Sequence, residues 1–118
     1  MKRIEIIDKA LETRTCIEGI GNTFIWSYMN AIKTKNELMN LGGFIWDRST
    51  EAEFIKNLDQ FEITDITVSD QSTGLMETLK NFCDNGWSIT GMTEINGISI
   101  NWETGEHKRI PAIKLHKN

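Results

Sequence analysis

The sequence predicts an α+β fold, with helices packed on one face of a mainly antiparallel sheet that ends in a C-terminal three-stranded meander. Three observations carry this. Apolar residues recur at helical spacings through the first two-thirds of the chain, and a period of two takes over after Gly86. The strands also gather at the end instead of alternating with helices, which argues against a βαβ repeat with a parallel sheet. At 118 residues the chain is the size of one domain, so a single α+β domain over residues 1–118 is expected, with no disulfide or metal staple required.

Ile4, Ile7, Ala10, Leu11 and Arg14 stand three and four apart, predicting an amphipathic helix over residues 2–14. Gly19 and Gly21 break that period and turn the chain. The next stretch has strand-favouring residues in Thr23, Phe24, Ile25, Trp26 and Tyr28, but also a helical stripe of Ile25, Tyr28, Met29 and Ile32; Asn22 as N-cap decides for helix. Thr34 and Glu37 have capping-box spacing, predicting a brief helical turn or the end of a longer helix with a stop at Gly42-Gly43, and Phe44, Ile45 and Trp46 read as a short strand. Thr50 and Glu53 repeat the capping-box spacing before a helix whose inward face would be Ala52, Ile55, Leu58 and Phe61.

Ile63, Ile66 and Val68 mark a β-branched strand. Ser72 or Thr73 then caps a helix with Leu75, Met76, Leu79, Phe82 and Cys83 along one side, stopped by Gly86 in a left-handed conformation. Trp87, Ile89, Gly91, Thr93 and Ile95 alternate with polar residues, as do Ile98, Ile100 and Trp102, and Asn96-Gly97 between the two runs predicts a tight hairpin turn. A second turn near Gly105 returns residues 108–115 as a third strand, on an edge because Pro111 has no amide proton. Leu79, Phe82, Ile89, Ile100 and Trp102 are the expected common core, and Trp87 and Trp102 the core-facing tryptophans.

Catalytic combinations are missing. His107 and His116 have no second His or Cys at ligand spacing, so no metal is expected. Gly19-Ile20-Gly21-Asn22 lacks the Lys-Ser/Thr ending of a phosphate loop and reads as a turn. Asp8 with Glu12, and Glu51 with Glu53, read as solvated helix faces, and Cys83 as a small core residue. Neither an enzyme nor a cofactor is expected. The two cysteines suit a reducing cytosol, the charged N-terminal residues do not resemble a secretory signal, and no apolar run approaches the roughly 20 residues that span a bilayer. A cytoplasmic protein without a membrane role is the expectation.

Charge is uneven along a chain of net charge -4. Residues 47–70 hold seven acids against two bases, while residues 108–118 hold four bases and no acid. The acidic body is poorly suited to phosphate backbones, so direct nucleic-acid binding is not expected, but it would steer a basic protein. The expected function is a small acidic binding protein that inhibits a basic partner, a toxin or a nucleic-acid enzyme; its most specific form is an immunity protein neutralising a nuclease toxin. Glu51, Asp59, Glu62 and Asp65 are the expected partner-binding residues, taken to lie on outward positions or loop ends. The competing expectation is a small-molecule or nucleotide-binding domain built on the glycine turn and the tryptophans.

Overall fold

The computed structural model describes residues 20–42, 48–69 and 74–118. The helix expected over residues 2–14, the strand expected at 44–46, and Cys16, Gly19, Trp46, Ser72 and Thr73 lie outside the described residues. The elements in order are α1 (Asn22–Thr34), β1 (Asn40–Leu41), α2 (Arg48–Gln60), β2 (Asp65–Val68), α3 (Leu75–Asp84), β3 (Trp87–Ile100) and β4 (His107–Lys117). The strands form one sheet in the order β1-β2-β4-β3, with β1 parallel to β2 and the remaining pairs antiparallel. The fold is α+β, with its sheet mainly antiparallel.

The ends of the helices follow local chemistry. Gly21, not Asn22, is the N-cap of α1, and its amide donates to Asn57 Oδ1 at 3.0 Å. Thr34 closes this helix instead of opening another, because its hydroxyl donates back to the Asn30 carbonyl and Lys35 takes the left-handed C-cap conformation at φ 59°. The expected helical turn after Thr34 is thus replaced by a cap and the short strand β1. Gly86, at φ +88°, supplies the left-handed residue just past α3 as the sequence predicts.

Phe61, Phe24, Phe54, Phe82 and Trp87 make a continuous chain of ring contacts, with centroids 5.1 to 6.4 Å apart, running from α1 and α2 through α3 to β3. Stacked and edge-on rings bury large apolar area while placing ring edges against ring faces. Leu41, Ile66, Val68, Leu79 and Leu115 complete the core. Glu51 projects into the same interior and accepts hydrogen bonds from Thr78 Oγ1 at 2.7 Å and Asn81 Nδ2 at 2.8 Å, joining α2 to α3.

The C-terminal strands differ from the expected meander. β3 continues through Asn96-Gly97, and the chain reverses only over residues 101–106, so two long strands stand where three were expected. Gly97 is not at positive φ; it is needed because a Cβ there would meet the Lys108 carbonyl at 3.1 Å and Ile110 Cγ2 at 3.2 Å. Between the pairs Asn96–Arg109 and Ile100–His107, three residues of β3, Gly97 to Ser99, stand opposite Lys108 alone, a bulge at the Asn-Gly pair. Pro111 pairs with Glu94 beyond the end of β2, where β4 has a neighbour on one side only, so a strand inside the sheet tolerates it.

The expected core also needs correcting. Leu79, Phe82 and Trp87 are buried, but Ile89, Ile100 and Trp102 are exposed, Trp102 at 96%. Ile100 and Trp102 lie on the far half of the hairpin, towards its tip. On α3, Met76 and Cys83 face outward while Thr78 takes the inward position, and on α2 Ala52 is exposed while Phe54 faces inward.

Candidate functional site

The far end of the β3–β4 hairpin is an ordered turn. Asn101 N–H donates to the Glu106 carbonyl at 2.8 Å, and Gly105 N–H to the Asn101 carbonyl at 2.7 Å. Asn101 Oδ1 accepts from the Glu103 amide at 2.9 Å, a side-chain mimic of a backbone turn, and Gly105 sits at φ +74°. This frame holds Trp102 out in solvent, and Glu103 and Glu106 of the same turn are exposed as well. Below it, Ile100, Ile98 and Met92 continue a set of exposed apolar side chains along the outer strand. His107 Nδ1 donates to the Gly97 carbonyl at 2.8 Å and ties the two strands together beside the bulge.

The bulge forms one wall of a cleft of about 340 Å³, which has α1 as its other wall. Asn36 and Asn96 lock α1 to β3 at its base: Asn96 N–H donates to Asn36 Oδ1 at 3.0 Å, and Asn36 Nδ2 donates to the Asn96 carbonyl at 2.9 Å. Asn96 Nδ2 also donates to the Thr34 carbonyl at 2.9 Å. On the opposite side Asn40 donates to Ser69 Oγ and accepts from Thr67 Oγ1, both at 2.8 Å.

The four carboxylates expected to meet a partner do not form one acidic face. Glu51 is 1% exposed and engaged with α3, so its expected outward position is corrected. The sequence carried the signal, since Glu51 stands four and seven residues before Ile55 and Leu58, in line with the apolar stripe. Asp59 pairs with Lys117 at 3.3 Å, and Asp65 accepts from His116 Nδ1 at 2.8 Å. Those hydrogen bonds from His116 and then Thr64 hold the Asp65 carboxyl below its ordinary pKa. Glu62 is exposed at the C-terminus of α2, with φ 57°. Because β2 pairs with β4, the acidic stretch lies against the basic C-terminal strand, and charges far apart in sequence partly neutralise each other.

Of the glycine turn and the tryptophans, the described residues Gly21 and Trp26 do not meet at the cleft. The Gly21 amide is spent on Asn57 instead of being open to an anion, Trp26 is 58% exposed on α1, and neither residue lines the cleft. Among the described residues no cluster of His, Cys, Asp or Glu could hold a metal ion, and no helix is long and apolar enough to cross a membrane.

Fold and site together define an α+β domain that presents an apolar, acid-flanked hairpin tip beside a polar cleft. The chain belongs to the family described as "Domain of unknown function (DUF7698)", whose model matches residues 23–117. No curated protein and no solved structure matches it significantly.

Proposed function

We propose that this chain is a small acidic cytoplasmic binding protein that inhibits a basic protein partner, in its most specific form an immunity protein neutralising a toxin such as a nuclease. The observation that supports this most is Trp102, a large aromatic side chain held 96% exposed on an ordered turn that also carries the exposed Glu103 and Glu106. Tryptophan is enriched among the few residues that dominate binding energy, and a pre-ordered tip loses little conformational freedom on association. The flanking carboxyl groups select a partner with an apolar pocket ringed by basic residues, in keeping with the net charge of -4. The interface is therefore centred on the hairpin tip, with Asp59, Glu62 and Asp65 as a more distant steering field and Glu51 as part of the scaffold.

The test is affinity capture from the source cell with wild-type protein and with Trp102→Ala in parallel, followed by an assay of the captured partner's own activity. A basic protein that is retained by wild type, lost by Trp102→Ala and inhibited by the wild-type chain is the expected result. An acidic partner, or one held equally by both forms, would remove the reading.

A further inference from the structure

We infer that the cleft between α1 and the β3 bulge is a binding site for a small organic anion, a single carboxylate or phosphate group carried on an apolar body. This goes beyond the protein-binding reading and stands independently of it. The lining residues give the chemistry. Within a chain of net charge -4, no acidic residue among the described ones lines the cleft, and Lys108 is the one formal charge that those residues bring to its walls. The Lys108 ammonium, the Ser99 hydroxyl and the Asn30 side-chain amide make no hydrogen bond or ion pair with other described residues, and all three residues line the same cleft. Ala31, Ile98 and Ile110 supply the apolar surface that an organic body would cover.

The volume of about 340 Å³ lies at the lower end of the roughly 300–1,000 Å³ usual for small-molecule sites, and the pattern of apolar walls with a few convergent polar groups is the usual one. The cleft is also pre-formed. The paired hydrogen bonds of Asn36 with Asn96 fix its base, and the Asn40–Ser69 bond its far side, so a ligand would not have to order them.

The C-terminal end of α1 borders the cleft and would ordinarily repel an anion. Here the carbonyls of Asn30, Ala31, Ile32 and Thr34 all accept hydrogen bonds, from Thr34 Oγ1, the Asn36 amide, the Lys35 amide and Asn96 Nδ2. Those donors offset the partial negative charge of the helix end, leaving Lys108 to set the sign of the site. The bulge is what brings this about: with Gly97, Ile98 and Ser99 looped out of regular pairing, the strand departs from α1 and leaves room beside Lys108.

The experiment is a titration of the ¹⁵N-labelled full chain, followed by amide shifts, with two charged probes and their neutral counterparts: adenosine monophosphate against adenosine, and indole-3-acetate against indole-3-acetamide. At least one anion should move the amides of Ala31, Gly42, Gly97 and Ser99 in a saturable way. Its neutral counterpart should bind at least tenfold more weakly. Lys108→Met should weaken the anion by a similar factor and Lys108→Arg should restore it; Lys108 is exposed and makes no contact that folding needs. Which probe binds separates a phosphate from a carboxylate source. The inference is overturned if neither anion shifts these amides at millimolar concentration, if the neutral forms bind as well, or if Lys108→Met binds like wild type.

Discussion

Glu51 accepts hydrogen bonds on both carboxyl oxygens inside the α2–α3 contact, so truncating it leaves Thr78 and Asn81 without their acceptor in a buried setting. Glu51→Ala should destabilise the domain by about 2–3 kcal/mol, given the net worth of hydrogen bonds to charged groups. The exposed neighbour change Glu53→Ala should stay within about 0.5 kcal/mol; urea unfolding curves compare the two directly. Asp65 makes a different kind of contact, at the surface. Its carboxyl pKa is held below the ordinary 3.8 first by the hydrogen bond from His116 and then by that from Thr64. A carboxyl whose folded pKa is depressed contributes stability that is fully present above its unfolded pKa and is lost as pH falls through the folded value. Asp65→Asn should therefore reduce stability at neutral pH slightly and flatten the loss of stability below about pH 4. Thermal melts across pH 2 to 7 read this out, and identical acid limbs for the two proteins would remove the linkage.

At the scale of elements, the strand-to-helix assignments were legible wherever apolar period and stop signals agreed. α2, β2 and α3 follow the sequence reading because Ile55, Leu58, Leu79 and Phe82 fall on the expected helical stripes and Gly86 ends the run, although Phe54 and not Ala52 faces inward on α2. Capping signals were less decisive, since Thr34 can bond forward to open a helix or back to close one, and the choice depends on Asn36 and Asn96 meeting it across 62 residues. The Asn96-Gly97 pair misled for the same reason: its turn preference is local, while the pairing of β3 with β4 on both sides of it is not. Alternation along residues 98–102 was real, but Ile98, Ile100 and Trp102 are exposed, so periodicity alone could not tell core from an exposed strand. The true reversal rests on Gly105, which at φ +74° has open space around it, so backbone strain alone decides a substitution there. Gly105→Val should destabilise the hairpin by about 1–2 kcal/mol. The amide shifts of residues 101–106 should change while those of the aromatic core stay put; an unaltered unfolding midpoint would mean that the turn bears no such strain.

For the whole molecule, the charge asymmetry seen along the chain is partly offset on folding, because Asp59 of α2 meets Lys117 and the β2–β4 pairing sets Asp65 against His116. What remains outward is an apolar tip with carboxyl groups beside it, on the outermost strand of the sheet as described. That strand carries two bulges and an exposed Glu94, features that hinder edge-to-edge pairing with another copy. Reversing Glu103 and Glu106 to Lys should slow association and reduce its dependence on salt, while Asp59→Lys should have a smaller effect on either. The decisive measurement is the binding kinetics of the captured partner with wild type and Trp102→Ala, alongside their unfolding curves. Trp102→Ala should raise the Kd by about 30-fold or more, equivalent to about 2 kcal/mol, chiefly through faster dissociation, with stability unchanged to within about 0.5 kcal/mol. Equal affinity for the two proteins, or a loss of binding that merely tracks a loss of stability, would contradict an interface centred on the hairpin tip.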